Sequence, residues 1–82
     1  MQRVQVGARM EKTLVKVLKA LAAYLDLSLG DLLEGITLHA LEGKAAFSPK
    51  TLGHIQKLRT IYGLELNAQD SHRLVEENHD DA

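Results

Sequence analysis

The spacing of hydrophobic and polar residues along this chain changes near Glu11. In the opening stretch "RVQVGARMEK", Arg3, Gln5 and Arg9 alternate with Val4, Val6, Ala8 and Met10. That is the two-residue period of a β-strand with one buried face. From Glu11 to Tyr24 the period becomes helical. At 100° per residue Leu14, Val17, Leu18, Leu21 and Leu25 share one side, and Lys12, Lys16 and Lys19 gather on the other.

"LDLSLGDLLEGI" marks a break and a restart. Ser28 followed by Asp31 is the spacing of a capping box, with Asp in place of the usual Glu or Gln. Ser28 is expected to accept a first-turn N–H, and Asp31 sits where the helix dipole favours negative charge. In this second helix Leu29, Leu32, Leu33, Ile36 and Ala40 share a face, with Asp31, Glu34 and Glu42 opposite and Gly43 as a stop. "KAAFSPK" reads as a linker, and Ser48–Pro49 as a cap followed by proline at the first helical position. Leu52, Ile55, Leu58 and Tyr62 then recur at helical spacing up to Gly63. Asn67 is a candidate cap for a short helix reaching Leu74 and Val75, and residues 76–82 read as a frayed acidic tail.

A lone strand leaves a row of backbone groups unpaired. The chain holds no second strand of matching length, since "LELN" at 64–67 is too short. The simplest partner is a second copy of the same segment. Two ribbons pairing antiparallel about a two-fold axis would satisfy each other's backbone and place Val4, Val6, Ala8 and Met10 of both chains on one apolar face. Leu14, Leu18, Leu21, Leu32, Leu33 and Ile36 complete the expected dimer core. Leu38 falls on the acidic face of the second helix. The third helix must bury its own apolar face, so it is expected to pack back on the second, in its own chain or the partner's, and cover Leu38 and Leu41.

Composition narrows the class. With 82 residues the chain is one small domain, and at 45% hydrophobic it has the apolar content of a folded one. It contains no cysteine, which excludes disulfides and thiolate metal sites. No apolar run approaches a membrane span or a signal-peptide core, so a cytoplasmic protein is expected. The formal charge of −1 conceals an alternation, from +4 over residues 1–24 to −3 over 25–47, +3 over 48–63 and −5 over 64–82. The basic opening segment keeps nucleic acid in view.

A short alternating strand, an amphipathic helix, a turn carrying Ser28 and a second helix ending near Gly43 together resemble the ribbon-helix-helix (Arc/MetJ-type) class of bacterial DNA-binding proteins. The likeness covers roughly residues 3–43, about half the chain. It implies a mainly α fold with a ribbon paired across a homodimer, and a helical extension over 44–75. It also implies a paired ribbon lying in the major groove. Carried over by position, Arg3, Gln5, Gly7 and Arg9 would face the bases. Arginine suits guanine O6 and N7, and glutamine suits adenine N6 and N7. Ser28, Leu29 and Gly30, at the positive end of the second helix, would hold a phosphate, with Lys12 nearby. Among the departures from the class, two concern the ribbon itself. Gly7 stands at the centre of the reading face, and no proline marks the strand-to-helix junction.

Other chemistry finds little footing. His39, His54, His72 and His79 form no pair at three- or four-residue spacing, so no metal site is expected. His54 is expected on the polar face of the third helix. Ser28 reads as a cap because no general base accompanies it. With no paired-carboxylate, P-loop or dinucleotide pattern, an enzyme is not expected, nor is a cofactor. The expected function is that of a small dimeric, sequence-specific transcriptional regulator, a repressor of double-stranded DNA targets. Two alternatives stand beside it. One is an antitoxin whose C-terminal segment wraps a toxin. The other is an interaction module that kept the fold without DNA binding and docks a protein through residues 44–82.

Overall fold

The computed structural model describes residues 1–73. Leu74, Val75 and the acidic tail, where the short terminal helix was expected to end, lie outside the described residues. Three α-helices occur among the described residues: α1 (Lys12–Leu25), α2 (Leu29–Leu41) and α3 (Pro49–Tyr62), followed by a 3₁₀ turn, Ala68–Asp70.

Each helix starts on a side-chain cap. The Glu11 carboxylate accepts the Leu14 N–H at 2.8 Å, the Ser28 hydroxyl accepts that of Asp31 at 3.1 Å, and the Ser48 hydroxyl accepts that of Thr51 at 3.2 Å. Each bond satisfies an N–H that the first helical turn leaves without a partner. Proline at the first position of α3 has no N–H to satisfy. The exits differ. Gly43 after α2 and Gly63 after α3 adopt φ of +72° and +70°, the left-handed region that glycine enters without strain. Asp26 ends α1 at φ +60°, where its side chain carries a steric cost.

The amphipathic side of α1 forms the centre of the molecule. Val17, Leu18, Leu21 and Ala22 are buried there, joined by Leu32 from α2, Leu58 from α3 and Leu64 from the segment after it. Leu14, Leu25, Leu29, Leu33, Ile36, Phe47 and Ile55 pack around this cluster. Leu64 is retained by the turn that follows α3. Its N–H bonds to the Arg59 carbonyl at 2.8 Å, and the Arg59 guanidinium donates to the Leu66 carbonyl at 2.7 Å. Beyond it Asn67 and Asp70 form a reciprocal capping box around the 3₁₀ turn.

Two expectations about the architecture are overturned. The ribbon-helix-helix fold class requires an N-terminal β-strand, and no strand occurs among the described residues. Residues 1–10 form an arm with no helix, turn or bend. The alternation of Arg3 through Met10 is compatible with a strand, but a strand exists only where a neighbour supplies hydrogen bonds. The rest of the described residues are committed to helices and connections. The second correction concerns the packing of α3 within its own chain. This helix packs on α1 rather than on α2, so α1 is the hub and α2 and α3 are not stacked on each other. Tyr24 of α1 and His54 of α3 mark that contact, with rings stacked 3.6 Å apart at 15°. His54 was expected on a polar face; its ring instead lies flat against a tyrosine. Leu38 and Leu41 stay uncovered, 64% and 79% exposed.

No helix among the described residues is long and apolar enough to cross a membrane.

Candidate nucleic-acid interface

The residues expected to read bases all lie on the arm, which is exposed from Met1 to Met10. Gln5, Gly7 and Arg9 share that exposure with Val4 and Val6, which are 82% and 76% exposed. A Cβ built on Gly7 would meet no atom within 4 Å. Neither crowding nor a left-handed backbone requires glycine there.

Arg3 is differently placed. Its Nη2 donates to Glu34 Oε1 at 3.0 Å and its Nε to Oε2 at 3.3 Å, a two-pronged contact across 31 positions of sequence. The same Nη2 lies 3.9 Å from Asp31 Oδ1. Hydrogen bonding to Glu34, with the charges of Glu34 and Asp31, holds the guanidinium even more firmly protonated than usual. The Glu34 carboxyl is in turn held below the usual glutamate range by the same bond and the positive charge behind it. The pair remains open to water, the Arg3 and Glu34 side chains being 65% and 51% exposed.

At the expected phosphate end, the Ser28 side chain is already spent on the Asp31 N–H, and its carbonyl accepts the Leu32 N–H at 3.0 Å. The N–H groups of Leu29 and Gly30 belong to the first turn and have no intrahelical acceptor. Asp31, also in that turn, supplies the negative charge that the helix dipole favours, so a phosphate arriving here meets a carboxylate. Along α1, Lys12, Lys16 and Lys19 are all exposed and follow directly from the arm.

The structure therefore brings two of the expected sets together, since Arg3 of the arm reaches the first turn of α2. It does so through acids that the base- and phosphate-contact assignments did not include. The signal for them was present in the sequence: Asp31 and Glu34 are three residues apart on one helix, which places both carboxylates on the same face.

The expected dimer-core residues divide by location. Leu18, Leu21 and Leu32 are buried within the single chain, whereas Leu14, Leu33 and Ile36 are partly buried around them. Val4, Val6 and Met10 are exposed. An open apolar groove of about 240 Å³ lies between α2 and the connection to α3, lined by Leu27, Leu32, Ile36, His39 and Phe47 among others. The His39 Nδ1 is engaged with the Gly35 carbonyl of its own helix at 2.7 Å. Among the described residues no three His, Asp or Glu side chains converge as metal ligands would. No family model, curated protein or solved structure matches this chain.

Proposed function

We propose that this chain is a cytoplasmic, DNA-binding transcriptional regulator that works as a dimer, with the arm and the exposed side of α1 as its DNA-contacting surface. The observation that carries the reading is the continuity of exposed cationic and amide side chains there. Along the chain, Arg3, Gln5 and Arg9 on the arm run into Lys12, Lys16 and Lys19 on α1, and Glu11, whose carboxylate caps the helix, is the one acid in that stretch of sequence. Arginine and glutamine are suited to base edges and lysines to phosphates. The first-turn N–H groups of Leu29 and Gly30 offer a second phosphate contact, made against the negative charge of Asp31 in the same turn. A second copy doubles the footprint and gives the exposed Val4, Val6 and Met10 an apolar neighbour.

The test is an NMR titration of labelled protein with random-sequence duplex DNA at low salt, repeated at higher salt. Shifts confined to residues 3–19 and 28–30 and reversed by salt are expected, because phosphate contacts release counterions. No shifts at low salt would overturn the reading.

A protein-interaction module is the second reading. It is favoured by Leu38 and Leu41, two large apolar side chains that stand exposed on α2 beside the acids. Shifts at these leucines on adding a protein partner, with none on adding DNA, would select it.

A further inference from the structure

The fork that Arg3 presents to Glu34, Nε and Nη2 at 3.3 and 3.0 Å, is the kind of paired donor edge that guanine O6 and N7 accept. A guanidinium gives that edge to one acceptor group at a time. We propose that the Arg3–Glu34 contact is an autoinhibitory latch: the acidic face of α2 holds the arm's arginine in the free protein, and DNA binds the form in which Arg3 has left it. This rests on the DNA-binding reading above and adds a regulated step to it.

The geometry supplies both halves of the device. On the arm, Arg3 ties a segment without helix, turn or strand to a rigid helix. On α2, the acids stand at the end where Leu29 and Gly30 offer their N–H groups, with Asp31 only 3.9 Å from the same Arg3 nitrogen. The latched form thus withholds a base-directed cation, while the acids stand beside the expected phosphate contact in either form. Release turns the arm outward but leaves the acids in place, so the two effects can be separated by mutation. The contact is also weak enough to open. Exposed ion pairs are held loosely, and a polyanion competes for the arginine with a much higher density of charge. The latch lowers apparent affinity by the fraction of molecules in the closed form, without altering the contacts of the open one.

The experiment is a double-mutant cycle read by fluorescence anisotropy on a random-sequence duplex at low salt. It uses the full chain and its Arg3→Gln, Glu34→Gln and doubly substituted forms. Both positions are exposed and outside the core, and circular dichroism verifies that each variant is folded. Glu34→Gln is expected to tighten binding about two- to fivefold in the original chain and clearly less in the Arg3→Gln background. Equal tightening in both backgrounds would mean that Glu34 acts only as a negative charge near DNA, and it would overturn the latch while leaving DNA binding intact. Unchanged or weaker binding by Glu34→Gln would overturn it as well. Absence of binding by all four proteins would overturn the DNA-binding reading and the latch together. In the free protein, the Arg3 Nε–H resonance should move on Glu34→Gln, and an unmoved resonance counts against the latch independently of DNA.

Discussion

Helices α1 and α2 are nearly equal in length, 14 and 13 residues, and both are rich in leucine, yet they are used in opposite ways. On α1 the apolar residues form one stripe, and four of them are buried. On α2 the leucines run around the helix. Leu32 alone is buried, Leu29, Leu33 and Ile36 lie at the edge of the core, and Leu38 and Leu41 face outward. Hydrophobic content alone therefore does not say which helix organises a domain; arrangement does. The surplus on α2 is apolar surface left open among the described residues, whereas α1 displays lysines on its outer side.

The comparison can be broken most directly at its centre. Leu21→Ala, which opens a cavity at a side chain only 2% exposed, is expected to cost about 2–5 kcal/mol. Leu41→Ala, at 79% exposure, should change stability by less than about 0.5 kcal/mol. Chemical denaturation followed by circular dichroism measures both, and comparable losses would show that α2 buries Leu41 as α1 buries Leu21. Caps come next. Ser28→Ala is expected to cost about 1 kcal/mol by removing the acceptor for the Asp31 N–H, and a smaller loss with Ser28→Gly in the same assay would be consistent with the cap assignment. At the C-terminal end of α1, Asp26→Gly should relieve the left-handed backbone and stabilise by about 0.5–1 kcal/mol, read as a higher melting temperature. An unchanged or lower value would mean that the aspartate contributes more than its backbone costs.

The smallest expected effect is on pH dependence. Hydrogen bonds from the backbone N–H groups of Thr13 and Leu14 hold the Glu11 carboxyl below the usual glutamate range. A carboxyl whose folded pKa is depressed stabilises fully above its unfolded pKa, and that contribution is lost as pH falls through the folded value. Stability should thus decline on acidification below about pH 5, and Glu11→Gln should flatten part of that decline. Glu34 titrates in the same direction through Arg3, so the Glu34→Gln chain should lose another share of the slope.

Much of the helical layout was legible in the sequence because its signals are local. Ser28, Ser48–Pro49, Gly43 and Gly63 mark boundaries through the chemistry of a single turn. The stripe from Leu14 to Leu25 is likewise local, and it correctly marks the core side of α1. What the sequence left open depends on distant partners. Alternation from Arg3 to Met10 reports a backbone preference but not the presence of a neighbouring strand, and the strand expectation failed there. Helix α3 has a weak stripe, with Leu52 and Tyr62 left half exposed, so its pattern did not reveal that it would choose α1 over α2. The Arg3–Glu34 contact joins positions 31 apart, and no spacing rule reaches that far.

The stack of Tyr24 on His54 gives the molecule a reporter of its own assembly. With no tryptophan and two tyrosines in the chain, few rings compete with it as a source of large local magnetic shielding. The His54 ring protons should resonate well upfield while α3 is docked and return to ordinary positions when it detaches. Docking of α3 can therefore be followed separately from helix content, with no label introduced into the chain.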